Sequence, residues 1–543
     1  MSLITTKHNL LRTSLAISAI AAVISLPATA DAAAPGITGP TFNLVAQTAF
    51  LNQPDGSSVY AWGYGCNGAP AGFAPAAIKN ASCPSMQLPG PTLIVNEGVT
   101  VSVTLTNNLP SAAGNTSILF PGFNVTAAPA ATQPSAACTS TTATAQGLLV
   151  MEATNGCAIT YTFTATSPGT RAYYSGTQSD LQVEMGMYGA VIVLPKAVPA
   201  NCTTGLAASN RQAEVFWKES DFRLSQSAYD HAKTCYDREY LFQFSEMDPK
   251  IHTAALAQVT ATAGCTAGAV GCSLQIATEP YHPAYFMING RSMPDDMDPN
   301  YGVEYPNQPY NGNPHMHPGE QVLIRVIGQG RWQHPFHEHG NHVRILGRDG
   351  NLILSASDSP TNPSLAGPAL FTTTTTPGLA FDGIFYWTGR GLNWDAYGHN
   401  PKSGDANATL PCTPDANGYN TGAPTAINYY EWCQDHNKPL EVHALGDIAS
   451  GGPVTLPDPN ILTNGNWYSG SPYLGPDATT RATGPNSSYQ PANTQANPAG
   501  ERGYAFMWHS HNEREITTNN VFPGGMMMMM LVDSREFVID ESN

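Results

Sequence analysis

Residues Pro91 to Leu109 read P-T-L-I-V-N-E-G-V-T-V-S-V-T-L-T-N-N-L, and this stretch decides the fold class. Val99, Val101, Val103 and Leu105 alternate with Thr and Ser, the two-residue period of a strand with one buried face. Similar runs at Thr160–Thr166 and Ala190–Leu194 extend this to a first β-domain over residues 38–197. Residues 198–237 carry two cysteines and helix-compatible stretches, and read as a linker. A second β-region opens at Glu239-Tyr240-Leu241-Phe242-Gln243-Phe244 and continues through Ala284–Ile288, Gln321–Ile327 and Gly383–Trp387. It closes with Tyr504–His511 and Met526–Val532, giving a second domain over 238–535. Inside it, residues 395–500 turn to Pro, Gly, Asn and Thr with few apolar runs, which predicts a long loop insertion.

Composition agrees with an all-β chain. Only 12% of the 543 residues are charged, and 50 are Gly and 44 Pro, which argues against coiled coils and helical bundles. With 23 Lys+Arg against 40 Asp+Glu the formal charge is −17, so nucleic acid is excluded as the main partner, since phosphate binding needs a basic surface.

Residues 1–32 read as an export signal. Lys7 and Arg12 precede a short apolar run from Ser14 to Leu26, followed by Ala28-Thr29-Ala30 and Ala30-Asp31-Ala32 as A-x-A-like cleavage sites. The run is well short of the roughly 20 residues of a membrane span, and no later segment is long and apolar enough to make one. The expected location is therefore periplasmic or extracellular. Ten cysteines fit an oxidising compartment, and in chain order they fall into five near neighbours: Cys66/Cys83, Cys138/Cys157, Cys202/Cys235, Cys265/Cys272 and Cys412/Cys433. Local disulfides are the expected reading, although sequence alone does not fix the pairing.

Histidine is concentrated at Gln333-His334-Pro335-Phe336-His337-Glu338-His339-Gly340 and at Met507-Trp508-His509-Ser510-His511. In a strand, residues i and i+2 share a face, so each H-x-H presents two imidazoles together. If the two strands meet, four imidazoles converge, a donor set for copper, zinc, iron or nickel rather than calcium or magnesium. His315-Met316-His317 is a further H-x-H, but its flanking prolines predict a loop, with an auxiliary copper site as the alternative, since the soft Met316 lies beside two imidazoles. Met526–Met530 is expected to pack a core, where thioethers fill irregular gaps, with soft Cu(I) binding as the alternative.

Pro89-Gly90-Pro91-Thr92-Leu93, the H-P-F-H-E-H-G segment and the W-H-S-H…F-P-G-G-M ending resemble the multicopper oxidase family. The resemblance covers both β-regions and spares 395–500. It implies two cupredoxin-like Greek-key β-sandwich or barrel domains. It also implies copper as cofactor, one-electron oxidation of a small-molecule or metal-ion donor, and dioxygen as acceptor. Carried over residue by residue, it makes His334 a type 1 ligand, His337 a type 2 ligand, and His339, His509 and His511 type 3 ligands.

The departures from the family pattern bear on function. Leu119 and Pro121 stand where the family has its first H-x-H, and Tyr174 and Gly176 where it has the second. Ser510 replaces the type 1 cysteine, and Glu515 stands near the second type 1 histidine. Blue copper depends on a thiolate bond, so no blue centre is expected. Glu338, Glu513 and Glu515 are candidates to orient the imidazoles; Tyr173, Tyr174 and Trp508 are candidates to relay electrons. The leading expectation is an exported copper-binding oxidoreductase with a reduced copper complement, oxidising a phenolic, organic or metal-ion donor. The alternative is a cupredoxin protein that binds or sequesters copper without catalysis. Two-domain relatives form trimers that complete metal sites across subunits, which makes a homo-oligomer an expectation too. Any shared site must then come from second-domain histidines, because only His8 precedes residue 231.

Overall fold

The computed structural model describes residues 34–75, 78–138, 145–146, 151–203, 226–356, 364–390, 412–426, 428–434, 470–473, 503–533, 535 and 538–539. Residues 1–32, the expected export signal, lie outside these, as do 204–225 of the linker and most of 395–500.

The molecule is built from two β-sandwiches. The first faces a sheet in the order Gly169–Tyr174, Tyr188–Leu194, Leu93–Asn96, Gly36–Thr38, Phe73–Ala74 against one ordered Ser58–Cys66, Thr41–Asn52, Thr100–Asn107, Ala158–Thr164, Thr126–Pro129, Ala145–Gln146. The alternation at Val101, Val103 and Leu105 works as expected: all three are buried between the sheets with Trp62, Tyr64, Tyr161 and Phe163.

The second sandwich repeats the pairing. Thr41–Asn52 runs parallel to Thr100–Asn107, which runs antiparallel to Ala158–Thr164; likewise Arg238–Met247 is parallel to Gln321–Gly328, which is antiparallel to Ala380–Tyr386. In the facing sheets, Leu93–Asn96 is parallel to Tyr188–Leu194 and that strand antiparallel to Gly169–Tyr174. His315–Met316 is parallel to Met527–Asp533 and that strand antiparallel to Gly503–Ser510. Parallel neighbours cannot be joined by hairpins, so the chain crosses between sheets in each half, as a Greek-key sandwich requires. The fold class is thus the expected one, all-β and cupredoxin-like.

Two elements depart from the reading of the sequence. Pro249–Ala261 is a helix, started by Asp248, whose carboxylate accepts from Lys250 N, with Pro249 at the first turn. It lays Ile251 and Ala255 onto the first sandwich's core. Within the 395–500 insertion, Gly470–Tyr473 is a strand rather than loop, and pairs with Gly503–Phe506. The described residues 412–434 fold around the Cys412–Cys433 disulfide. All five expected cysteine pairs are bonded.

The sandwiches pack sheet against sheet. Ile94, Ala172, Ala190, Ile192 and Leu194 of the first meet Leu241, Ile327 and Ala380 of the second. Beside this apolar seam, Asp382 accepts from Thr170 N and Oγ1 (3.1 and 2.5 Å) and from the Tyr229 hydroxyl (2.6 Å). Arg325 bridges Asp382 and Glu239.

Candidate metal centre

The strands His334–Glu338 and Gly503–Ser510 are antiparallel neighbours, with His337 opposite His509 and Phe336 opposite Ser510. Pleating sends Phe336, Phe506, Trp508 and Met528 into the sandwich core and turns His337, His339 and His509 to the outer face. The two H-x-H motifs therefore meet as their spacing predicts.

One ring nitrogen each from His337, His339 and His509 lie within 4.8 Å of one another, and all three residues are buried. His339 Nε2 and His509 Nε2 are 3.2 Å apart. His511 stands at the exposed rim, its ring centroid 4.9 Å from that of His337 and 5.5 Å from that of His509. His509 Nδ1 donates to the Ser510 carbonyl at 2.7 Å, which leaves the Nε2 lone pair pointing into the cluster. His337 Nδ1 shares a 2.6 Å hydrogen bond with Thr372 Oγ1, so its Nε2 is the nitrogen available to a ligand. Trp508 Nε1 donates to the His339 carbonyl at 2.9 Å and pins the second H-x-H strand to the first. Burial, and then the neighbouring rings of His339, His509 and His511, push His337 down to about 3. Burial likewise lowers His509. These rings are neutral at neutral pH, the state in which imidazole ligates a metal.

His334 is not part of this cluster. It lies in the buried interior, where Nδ1 meets Glu515 Oε2 at 2.8 Å and Nε2 meets Glu246 Oε2 at 2.9 Å. Ser510 Oγ donates to the same Glu515 oxygen at 2.5 Å. Burial opposes its charge, but the hydrogen bonds to Glu246 and Glu515, and then their charges, raise it to about 9. His334, Ser510 and Glu515 do come together, as the family's type 1 positions should, but as an imidazolium clamped by carboxylates. Both ring nitrogens are committed, which argues against His334 as a metal ligand.

The remaining candidates are placed as follows. Glu515 orients His334 rather than the cluster, Glu513 is exposed, and Glu338 faces the core, with neither oxygen hydrogen-bonded among the described residues. His315-Met316 is a strand rather than a loop; His315 Nδ1 pairs with Asp533 at 2.6 Å and Met316 enters the core, so the three residues do not converge. Met526, Met528 and Met530 pack the core as expected. Tyr173 donates to the Pro91 carbonyl, 2.8 Å away. Sequence reasoning missed Thr372 and Glu246: one sits in a run of threonines and the other in an ordinary buried strand, and neither has a local signal.

The first-domain positions form the counterpart of the cluster. Leu119 and Tyr174 bridge antiparallel, as His337 and His509 do. Leu119 packs over Gly176, where a Cβ would meet its Cγ at 2.7 Å.

Two profiles of the multicopper oxidase family match the chain, one over residues 79–198 and one over 277–380. No curated protein sequence matches. Among solved structures, the multicopper oxidase mgLAC is 14% identical, with 92% of this chain and 87% of that chain covered and a TM-score of 0.42. The blue copper oxidase from Nitrosomonas europaea is 14% identical, with 91% and 85% covered and a TM-score of 0.42. The copper nitrite reductase from the same organism is 19% identical, with 64% and 84% covered and a TM-score of 0.35. The two profile matches support membership of the multicopper oxidase family, with copper as the metal and oxidoreduction as the class of chemistry.

Proposed function

We propose that this member of the multicopper oxidase family is an exported copper oxidoreductase with a reduced copper complement, its metal held by His337, His339 and His509 with His511 at the rim. One observation carries the reading: three buried imidazoles converge in the second sandwich, while the matching first-sandwich positions hold Leu119, Pro121, Tyr174 and Gly176. The donor set suits copper. It has no carboxylate, and the 3.2 Å between His339 Nε2 and His509 Nε2 suits two nitrogens sharing one ion at about 2 Å each.

Bound there, copper would take and release single electrons between a phenolic, organic or metal-ion donor and dioxygen. The chain's own part is preorganisation. The Ser510 carbonyl fixes the His509 tautomer, Thr372 orients His337, and the Trp508 indole holds the His339 backbone. Without a metal, a hydrogen bond spans the 3.2 Å between His339 Nε2 and His509 Nε2, and an ion bound there takes its place. Low basicity at His337 weakens competition from protons.

Elemental analysis of copper-loaded, desalted protein tests the reading. About one copper per chain is expected from a single imidazole cluster. Three or four would overturn the reduced complement, and none would overturn the copper site. A second reading, copper binding without catalysis, is favoured by one feature: the position that admits electrons in the family has no thiolate. Copper bound stoichiometrically, with no turnover on phenols, hydroquinones or cuprous and ferrous ions, would select it. Export is supported by the residue pattern of 1–32, and is tested by the N-terminus of protein recovered from outside the cytoplasm.

A further inference from the structure

The carboxylate-clamped His334 does not end the buried polar chain; it continues it. Glu246, whose Oε2 holds His334 Nε2, accepts at Oε1 from the backbone N–H groups of Arg331 (2.7 Å) and Trp332 (2.8 Å), and lies 3.2 Å from the Tyr281 hydroxyl. That hydroxyl donates at 2.7 Å to Oε2 of Glu184 from the first sandwich. Glu184 Oε1 in turn accepts from Asp248 N. At the other end, Glu515 and Ser510 carry the chain to the residue between His509 and His511. Tyr281 is thus joined through Glu246, His334, Glu515 and Ser510 to the peptide of the cluster histidines. Its ring meets Trp332 edge-on at 5.5 Å and lies 4.1 Å beneath the Arg331 guanidinium. Trp332 is half-buried, so the pair leads from the protein surface to the network.

A phenol can give up an electron readily only if its proton leaves at the same time. Tyr281 is nearly buried, and its hydroxyl has a carboxylate acceptor at 2.7 Å. We propose that Tyr281 is a redox relay that feeds electrons singly to the histidine-held copper, in place of the thiolate-bound copper the chain has lost. The inference rests on the copper site proposed above. In the step, Tyr281 loses one electron to Cu(II), giving Cu(I), and its hydroxyl proton passes to Glu184. An external one-electron donor then returns an electron by way of Trp332, the proton returns from Glu184, and the phenol is restored. Tyr281 touches neither the copper ligands nor, while buried, the donor, so it is a relay and not a ligand. Burial, and then the charges of Glu184 and Glu246, keep its hydroxyl protonated at rest.

Flash oxidation with a ruthenium photosensitiser, followed by electron paramagnetic resonance, tests this on the whole chain. In metal-free protein a tyrosyl radical is expected, and it is lost in Tyr281→Phe. Incorporating 3-fluorotyrosine at position 281 keeps the hydrogen bonds and should alter the radical's hyperfine pattern, which covers the case in which Tyr281→Phe does not fold. In protein loaded anaerobically with Cu(I), the radical should decay as Cu(II) appears. Glu184→Gln should slow that appearance by about 100-fold, the loss expected when the group that returns the phenol's proton is removed. A radical whose hyperfine pattern ignores the fluorine, or Cu(II) appearing as fast in Tyr281→Phe as in wild type, would overturn the relay. Failure to load copper would overturn the site while leaving the metal-free radical to judge Tyr281.

Discussion

The two sandwiches share one strand plan, and four positions in each correspond: Leu119, Pro121, Tyr174 and Gly176 in the first match His337, His339, His509 and His511 in the second. In the second, the pleat gathers imidazoles on an outer face and leaves their nitrogens 3.2 Å apart. In the first, Leu119 bridges Tyr174, Pro121 lies in the turn that follows, and Leu119 fills the space a side chain at 176 would need. The Tyr174 ring belongs to the apolar contacts between the sandwiches. The scaffold therefore supplies convergence in both halves, and the side chains alone decide whether it becomes a metal centre or packing.

The comparison breaks most directly at the cluster. His509→Ala should reduce copper from about one per chain to a small fraction, measured by elemental analysis, because it removes one of the three buried imidazoles and leaves only His511 at the exposed rim to replace it. The fold, followed by circular dichroism, should survive.

The next effect is in pH-dependent stability. Folding raises His334 from its ordinary value to about 9, so its contribution is fully present below about 6.5 and is lost as pH rises through 9. Denaturant unfolding of metal-free protein should show a fall on the order of 3 kcal/mol across that window, and His334→Gln should flatten it. An unchanged slope in the variant would refute the carboxylate-held imidazolium.

A smaller loss is expected from Thr372→Val. It frees the His337 ring without removing a ligand and should weaken copper binding by about 10–100-fold in a competition titration. Least of all, Gly176→Ala should cost about 1 kcal/mol of stability, since its Cβ would press on a half-buried Leu119 that can shift. Its copper content should equal wild type. A change there would mean that the first sandwich contributes to the centre after all.

The convergence of His337, His339 and His509 was legible because two-residue periodicity reports which side chains share a face, and both motifs run out of the ends of neighbouring strands. The replacement of the type 1 cysteine by Ser510 was legible from a fixed offset within W-H-S-H. The carboxylate partners were not. Glu246 and Glu515 reach His334 from 88 and 181 residues away, distances over which no periodicity carries information. His334 looked like a ligand for that reason: its motif shows the imidazole but not the two carboxylates that occupy it. The helix Pro249–Ala261 had a readable start in Asp248-Pro249, yet its apolar positions serve the other sandwich's core and give little amphipathic signal of their own.

The seam between the sandwiches has a consequence for how the molecule comes apart. Arg325, Glu239 and Asp382 are fully buried there, and Asp382 is satisfied by Thr170 of the first half together with Arg325 and Tyr229. Opening the seam exposes Ile94, Ile192, Leu194, Leu241 and Ile327 to water and breaks the hydrogen bonds from Thr170 to Asp382. The halves are therefore bound into one cooperative unit, and calorimetry should record a single melting transition rather than two.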